Sequence, residues 1–270
     1  MKNLIKRTLT GTIFSVTLLS AFILSPYSMI AMVVAIGALC LFEYYKIAKR
    51  LEIIPMVLPG IIVSITLLLF AFLTTSKIIP VESLFAFIPV IFFIFIISLY
   101  STNKRPFENI AMTFFPIIHV IIPLMLLIAL GFISGVYDYR PLVGILLLIW
   151  SNDVFAYLVG ITLGKHPLFP KYSPKKSWEG FFGGLIFCGI TSFLIALNWT
   201  IYSKLEWGIL AIIVTVCGTF GDLFESLVKR EVSLKDSGTI LPGHGGVLDR
   251  FDSLLMVVPF AYTFIYFITL

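Results

Sequence analysis

Charged residues are scarce in this chain of 270 residues, since Asp, Glu, Lys and Arg together make up only 12% of it. Hydrophobic residues account for 59%. A soluble globular domain carries about 25% charged residues, so the composition disfavours a soluble fold, a disordered chain and a nucleic-acid-binding module. The mean hydropathy of +1.06 indicates instead a helical protein that crosses a membrane many times and has short loops.

Cysteine is also rare. The three cysteines, Cys40, Cys188 and Cys217, each lie in an apolar run, and none belongs to a CxxC pair. This spacing supports neither a disulfide framework nor a zinc site. We interpret the three residues as small buried hydrophobic side chains in reduced form.

Long apolar runs, by contrast, are abundant. A membrane-spanning helix needs about 20 apolar residues, and nine runs are candidates. They cover residues 8–25, 28–42, 54–73, 82–100, 109–133, 141–163, 179–197, 205–225 and 254–270. The first run follows basic residues but has no small-x-small cleavage site, so we interpret it as an uncleaved first helix. The predicted fold class is all-α, a polytopic transmembrane helical bundle of about nine spans.

The distribution of basic residues predicts the orientation of these spans. With a cytoplasmic N-terminus, 16 of the 19 Lys and Arg residues fall in cytoplasmic segments, and only Lys77, Arg140 and Lys204 do not. Cytoplasmic loops of membrane proteins carry an excess of basic residues, so we predict that the N-terminus is cytoplasmic. The net charge of +5 is therefore interpreted as a feature of topology.

The two parts of the chain differ in polar content. Residues 1–140 form apolar spans with plain loops, and we assign them to packing, with dimer or lipid contact as a further candidate role. Residues 141–270 contain polar residues inside spans and two loops dense in charge, Gly and Pro, so we predict that the catalytic region lies there. In the first part, Glu43 to Lys46 close the second span, and we interpret them as a belt at the membrane interface.

Acidic residues occupy one face at the end of the eighth span. Asp222, Glu225, Ser226 and Lys229 are spaced i, i+3, i+4 and i+7, which places them on the same side of a helix. A carboxylate inside a span costs roughly 2.5–3.5 kcal/mol on insertion scales, and two within one turn repel each other. A bound divalent cation would offset this cost. Ordinary charge at a helix end, neutralised by Lys229 and Arg230, is the alternative.

A glycine-rich loop follows this helix. Residues 242–246 read Pro-Gly-His-Gly-Gly, and such a loop lets backbone N–H groups approach phosphate oxygens without obstruction by Cβ atoms. Behind it, Asp249, Arg250 and Asp252 combine ligands for a hard metal such as Mg²⁺ with a cation that binds phosphate. These residue types together suit metal-assisted phosphoryl or nucleotidyl transfer. His244 is either a plain hydrogen-bonded loop residue or a residue that contacts phosphate or transfers a proton.

The sixth span contains a second polar stretch. Ser151, Asn152 and Asp153 interrupt an otherwise apolar run. An unpaired Asp in lipid is expensive, so it should face a polar cavity or a partner. Either a structural polar clamp between helices or a cavity wall that binds nucleotide or metal fits this pattern.

A lysine-rich loop follows the sixth span. Four lysines lie within twelve residues, from Lys165 to Lys176. They would attract anionic lipid headgroups or clamp a polyanionic substrate. Ser177 and Trp178 are typical of a helix cap and an interface anchor at the start of the seventh span. We interpret His119 and His166 as structural residues.

Together these stretches resemble the phosphatidate cytidylyltransferase family, also called CDP-diacylglycerol synthases. The resemblance lies in S-x-x-K-R from Ser226, then K-D, then P-G-H-G-G-x-x-D-R-x-D ending at Asp252. The upstream S-N-D-x-x-A-Y and S-P-K-K-S-W-E-G stretches are also similar to that family. These motifs cover roughly residues 150–253, and the earlier spans match only in hydropathy and length.

The resemblance implies a reaction, a cofactor and a cellular location. A cytidylyl group is transferred from CTP to phosphatidic acid, which gives CDP-diacylglycerol and pyrophosphate, with Mg²⁺ as cofactor and a second, monovalent cation left open. The implied enzyme is a multi-pass homodimer among the lipids of the cell inner membrane, with its active site facing the cytoplasm and no nucleic acid partner. Because phosphate oxyanions need no general base, such a site works by positioning and charge neutralisation.

The predicted site residues form three groups. The catalytic group consists of Asp222, Asp249, Lys229 and Arg250. The metal ligands are Asp222 and Asp249, with Asp153, Glu225 and Asp252 as further ligands or as neighbours of the ligands. The residues that bind substrate are Asn152, Lys175, Lys176, Ser177, Ser226, Arg230, Lys235, Asp236, Gly243, His244, Gly245 and Gly246.

Two other functions stay open on the sequence. A polyprenol kinase that uses CTP would transfer the γ-phosphate and release CDP instead of pyrophosphate. A secondary transporter would use Asp153 and Asp222 for ion coupling. A transporter, however, needs no glycine-rich loop flanked by acidic residues on one membrane face.

Overall fold

The computed structural model describes residues 2–101, 103–234, 236–238, 240 and 245–270, with side chains from Leu9 onward. In the first part of the chain, two short helical turns connect longer helices: a 3₁₀ turn, Val81–Ala86, leads into α4, and a π-helical turn, Ile117–Ile121, joins α5 to α6. The helices are α1 (Lys2–Leu24), α2 (Pro26–Arg50), α3 (Val57–Thr75), α4 (Phe87–Leu99), α5 (Pro106–Pro116) and α6 (Ile122–Leu130).

The second part contains four long helices and a small β-hairpin. The helices are α7 (Arg140–Leu163), α8 (Trp178–Asn198), α9 (Lys204–Glu231) and α10 (Leu248–Thr269). The hairpin lies between α7 and α8 and pairs β1 (Pro167–Phe169) with β2 (Ser173–Ser177) in antiparallel fashion. The hairpin is formed by residues of the lysine-rich loop. The sequence analysis did not predict these strands.

Among the residues that the structure describes, eight segments are long and apolar enough to cross a membrane, by length and composition. They are Pro26–Arg50, Val57–Thr75, Val81–Leu99, Pro106–Leu130, Arg140–Leu163, Trp178–Asn198, Lys204–Glu231 and Leu248–Thr269. In α1, the part whose side chains are described, Leu9–Leu24, is a shorter apolar helix. The predicted all-α, multi-spanning fold is confirmed, and the cytoplasmic orientation of the N-terminus stays a prediction.

Local capping chemistry determines where several helices begin. Ser25 and Ser28 form a capping box at the start of α2, and Ser203 and Glu206 form another at the start of α9. The Ser177 hydroxyl accepts a hydrogen bond from the Gly180 N–H at 3.1 Å at the start of α8. Such caps satisfy N–H groups that have no partner within their own helix. The cap predicted at Ser177 is confirmed.

The chain divides into two compact units. Unit 1 comprises Met1–Tyr137 and Asp236–Arg250, and unit 2 comprises Asp138–Lys235 and Phe251–Leu270. The boundary between α6 and α7 lies close to the change in polar content seen in the sequence. The segment 236–250, however, groups with the first spans. The functional roles assigned to residues 1–140 and 141–270 stay predictions.

The end of α2 is part of the core of unit 1. Glu43, Tyr44 and Tyr45 are buried, whereas Lys46 is exposed. The Tyr44 hydroxyl lies 2.7 Å from His119 Nδ1, and the Tyr45 hydroxyl donates to the Thr113 carbonyl at 3.2 Å. The prediction of an interface belt at residues 43–46 is therefore wrong, because three of its four side chains pack inside the unit.

In unit 2, α7 and α8 pack along each other. The rings of Phe155 and Phe187 stack with centroids 3.8 Å apart, and the hydroxyls of Ser151 and Thr191 lie 2.7 Å apart. This hydrogen bond joins the two helices. Of the two alternatives considered for residues 151–153, Ser151 therefore fits the polar clamp between helices.

Candidate active site

Three acidic side chains of unit 2 converge. Asp222 and Glu225 lie one turn apart on α9, and Asp252 lies on α10. One carboxylate oxygen from each lies within 4.8 Å of the other two. Carboxylate oxygens are the ligands that hard divalent cations prefer, so this acidic cluster (Asp222, Glu225 and Asp252) can hold a metal ion.

A close approach of two helices brings the acidic cluster together. Gly221 precedes Asp222, and a Cβ atom at this position would lie 2.5 Å from the Asp252 carbonyl oxygen and 2.9 Å from Met256 Cβ. One turn earlier, the Ser253 hydroxyl donates to the Gly218 carbonyl at 3.2 Å. The backbones of α9 and α10 meet at these glycines, and any larger residue at Gly221 would push the helices apart.

Among the residues that the structure describes, two lysines contact the acidic cluster. Lys176 Nζ lies 2.8 Å from Asp222 Oδ2 and donates to the Thr219 carbonyl at 3.4 Å. Lys229 Nζ lies 2.7 Å from Glu225 Oε2, and both of these residues are buried. With all groups ionised, three carboxylates face two ammonium groups. The excess of negative charge suits a bound cation.

Ser226 completes the polar face of α9, because its hydroxyl donates to Asp222 Oδ1 at 3.3 Å. The one-sided spacing inferred from the sequence thus puts Asp222, Glu225, Ser226 and Lys229 into one hydrogen-bonded group. The motifs placed Asp252 with the candidate metal ligands and Lys176 with the candidate substrate-binding residues. Helix spacing could not show that they join this group, since both come from other elements.

The β-hairpin positions Lys176. Strand β2 ends at Ser177, which caps α8, and Glu179 in the first turn of α8 binds back to the start of the hairpin. The Glu179 carboxylate accepts hydrogen bonds from the N–H groups of Lys165 and His166 at 3.1 and 3.2 Å, and lies 2.5 Å from His166 Nδ1. These contacts hold both ends of the hairpin. Lys175, the neighbour of Lys176 on β2, is exposed.

The predicted residues on α7 lie in different environments. Asn152 is buried, and its Oδ1 packs at Gly184, where a Cβ atom would lie 2.6 Å from it. Asp153 is exposed at the protein surface. Among the described residues, Asp153 is not one of the three acids that form the cluster.

Asp249 is held by its own segment in unit 1. Its Oδ2 accepts hydrogen bonds from the Gly246 N–H at 2.7 Å, the Ser237 N–H at 2.9 Å and the Ser237 hydroxyl at 3.0 Å. Gly245 has a φ of +85°, a left-handed conformation that favours glycine. Asp236 is exposed. Ser237 and Gly246 therefore hold the Asp249 carboxylate from two positions of the segment.

The remaining basic and loop residues predicted for the site are Arg230, Arg250, Lys235, Gly243 and His244. Arg250 is exposed, and Arg230 Nη1 donates to the Leu234 carbonyl at 2.9 Å. Lys235, Gly243 and His244 lie outside the described residues.

The sequence interpretation missed Glu43, which accepts hydrogen bonds from the segment 236–250. The available signal was its position: an acidic residue between Phe42 and Tyr44, at the end of an apolar run. The cost of burying a carboxylate there predicts a partner, and the sequence does not show which segment supplies it.

The fold and the site define a class of protein: a multi-spanning helical membrane protein with a cluster of acidic residues and lysines that can hold a metal ion and a phosphate-bearing ligand. The chain belongs to the cytidylyltransferase family, whose family model matches residues 5–268. It is thus an enzyme of the nucleotidyltransferase class, in agreement with the resemblance seen in the motifs.

Individual relatives agree with this assignment. A Bacillus subtilis (strain 168) protein named phosphatidate cytidylyltransferase is 30% identical over 266 residues, which cover 97% of both chains. A Staphylococcus aureus (strain COL) protein of the same name is 48% identical over 115 residues, or 42% of this chain and 44% of that protein. One from Mycobacterium tuberculosis (strain ATCC 25618 / H37Rv) is 47% identical over 107 residues, or 39% and 32%.

Proposed function

We propose that this chain transfers a cytidylyl group from CTP to phosphatidic acid and releases pyrophosphate, in the synthesis of phospholipids. Family membership over almost the whole chain supports this activity, as does the relative from Bacillus subtilis that matches over 97% of its length. The observation that carries the proposal is the acidic cluster with Lys176 and Lys229 in contact.

The chemistry requires little from the protein except position and charge. An oxygen of the phosphate group of phosphatidic acid attacks the α-phosphorus of CTP, and the bond between this phosphorus and the bridging oxygen to the β-phosphate breaks. Pyrophosphate leaves with the electron pair of that bond. Because the attacking oxygen is already an anion, no general base is needed, and the site must align two anions that repel each other.

We assign the cofactor Mg²⁺ to the acidic cluster, with Asp222 as a ligand and Glu225 and Asp252 beside it. When bound, Mg²⁺ would supply neutralisation of charge on the phosphate oxygens. The acids alone would repel a triphosphate, which is why the cluster is suited to substrate only together with a cation. Asp249 and Asp153 stay predicted as further ligands, and a second, monovalent cation is left open.

The basic residues would bind the phosphate groups. The pair between Lys176 and Asp222 is partly exposed, so the ammonium group can exchange its carboxylate partner for a phosphate oxygen. Lys229 is fixed by Glu225 and would present a defined positive charge. Arg230, Lys235 and Arg250 are proposed as additional phosphate contacts, along with the loop from Gly243 to Gly246. Further proposed substrate contacts are Asn152, Lys175, Ser177, Ser226 and Asp236.

The proposed location and oligomeric state rest on the apolar helices and on the resemblance to the family. Its apolar helices indicate a membrane protein. We propose that it resides in the cell inner membrane as a homodimer, contacts membrane lipids and presents its active site to the cytoplasm. Residues 1–140 would provide packing and lipid or dimer contacts, and residues 141–270 most of the catalytic groups.

An assay with labelled nucleotide tests the activity. The protein in detergent micelles receives phosphatidic acid, Mg²⁺ and CTP labelled at the α-phosphate. We expect label in the lipid phase, pyrophosphate in the aqueous phase, and loss of both when EDTA is added. Label that stays in water as CDP would contradict the proposal in favour of a kinase, and a folded protein that consumes no CTP would reopen the transporter hypothesis.

A further inference from the structure

Glu43 is an acidic residue with 1% of its surface exposed, near the end of α2. Among the described residues, its carboxylate accepts hydrogen bonds from the Ser237 hydroxyl at 2.8 Å, the Val247 N–H at 3.0 Å and the Leu248 N–H at 2.8 Å. All three donors belong to the segment 236–250, about 200 residues later in the chain. Within unit 1, this carboxylate therefore ties α2 to the segment that carries Asp249.

Two of these donors lie at the beginning of α10. Leu248 is the first residue of that helix, and the first N–H groups of a helix have no acceptor within it. A side chain just before the helix normally supplies the acceptor. Here a carboxylate from a different helix does so, and negative charge is favourable at this end of the helix dipole. Glu43 therefore caps α10 from a distance in sequence.

Two backbone positions that contact the Glu43 carboxylate, Gly238 and Gly246, leave space only for glycine. A Cβ atom at Gly246 would meet the Ser237 hydroxyl and both carboxylate oxygens of Glu43. A Cβ atom at Gly238 would meet the same carboxylate. Gly238 and Gly246 thus pack closely against the carboxylate. Together with the hydrogen bonds, this close packing indicates a specific contact.

The same segment orients Asp249. The Ser237 hydroxyl lies 2.8 Å from Glu43 Oε2 and 3.0 Å from Asp249 Oδ2. Because a hydroxyl carries one hydrogen, it can donate to only one of the two carboxylates at a time. The Ser237 N–H also donates to Asp249 Oδ2 at 2.9 Å, so Ser237 connects the two carboxylates when its hydroxyl binds Glu43. The position of Asp249 therefore depends on the contact between Ser237 and Glu43.

We propose that Glu43 is a positioning residue that fixes the start of α10 and thereby orients Asp249 for catalysis. The catalytic part of this inference rests on the proposed function. The structural part, which is the ordering of residues 245–250 by the Glu43 carboxylate, does not depend on any substrate.

Glu43→Gln tests the inference with two measurements, amide hydrogen exchange and steady-state kinetics. The neutral amide keeps the size of the side chain but loses the charge and one of its two acceptor oxygens. We expect exchange at Gly246, Val247 and Leu248 to accelerate by at least about tenfold, and kcat to fall by about 100-fold with a smaller change in KM for CTP. Glu43→Asp, which retains the charge, should recover part of both losses.

Tyr45→Phe is the matched control. Tyr45 lies on the same helix, is buried to the same degree and loses one hydrogen bond, to Thr113, which lies outside the segment 236–250. We expect it to lower thermal stability without changing exchange at 246–248 or kcat. Unchanged exchange in Glu43→Gln, or a fall in kcat no larger than that of the control, would overturn the proposal.

Ser237→Ala provides a second variant that leaves α2 intact, for use if Glu43→Gln does not fold. It removes one donor to Glu43 and Asp249, so exchange at the same amides should rise by a smaller factor, and no rise would contradict the inference. If exchange responds as expected but the wild-type protein makes no CDP-diacylglycerol, the proposed function fails while the capping by Glu43 stands.

Discussion

Glu225 and Lys229 lie one turn apart on α9, with Glu225 Oε2 2.7 Å from Lys229 Nζ, and the two residues are 1% and 9% exposed. Water screens such a buried pair weakly, so each charge depends on its partner. The pair belongs to the acidic cluster that we propose as the metal site. It should therefore affect both stability and catalysis, and substitutions can separate the two effects.

Replacement of Lys229 by Met removes one charge of this pair. Loss of one partner of a buried ion pair costs about 3–5 kcal/mol of stability, so we expect a clear fall in the temperature of unfolding in detergent, along with loss of cytidylyl transfer. The double variant Glu225→Gln with Lys229→Met removes both charges. It should recover much of the stability but not the activity. Recovery of both would show that the pair has no catalytic role.

Much of the fold follows from the sequence because membrane-spanning helices are a direct consequence of apolar length. Burial of backbone groups in lipid permits only helices or closed barrels, so the apolar runs alone predict the helical bundle. The hairpin 167–177 escaped this reasoning. Its strands are short and lysine-rich, and they are held by contacts such as those of Glu179 with His166, which have no periodic signature.

The spacing of residues along a helix predicts the part of the candidate site that lies on one helix, but not which residues of other elements meet it. Asp222 and Glu225 share a face by spacing alone. Asp252 reaches this group because α10 packs against α9, and Lys176 reaches it because of the geometry of the hairpin. Neither form of packing can be deduced from the spacing of residues. Glu43 could not be connected to Ser237 at all, because the sequence gives no information on a contact between residues nearly 200 positions apart.

Asp222→Asn tests the metal site directly. The asparagine keeps the size of the side chain but loses the charge that a hard cation requires. We expect turnover to fall by about 100-fold or more and the Mg²⁺ concentration for half-maximal activity to rise. Binding of Mn²⁺ measured by electron paramagnetic resonance gives a readout independent of turnover. Glu108→Gln, which alters an exposed ion pair with Arg105, is the control, and equal Mn²⁺ affinity in both variants would contradict the assignment.

Lys176 and Lys175 offer a matched pair of substitutions on β2. Successive residues of a strand point to opposite faces, and only Lys176 is paired with Asp222 in the structure. We expect Lys176→Met to lower kcat/KM for CTP by about 10- to 100-fold, and Lys175→Met to have a much smaller effect. The difference should persist at saturating phosphatidic acid. If both variants lose activity equally and high salt abolishes the effect, the lysines act through general surface charge instead.

Gly221→Ala tests whether the close approach of α9 and α10 holds the acidic cluster together. The added methyl group would meet the Asp252 backbone and Met256, and such overpacking costs about 1–3 kcal/mol. Because the helices must move apart next to Asp222, metal affinity should fall along with stability. Gly208→Ala is the control on the same helix, since a Cβ atom there meets nothing within 4 Å. That substitution should leave Mn²⁺ binding and turnover unchanged and raise stability by about 0.5–1 kcal/mol, since alanine favours the helix. A Gly221→Ala protein with normal Mn²⁺ affinity would show that the separation of the two helices does not control the metal site.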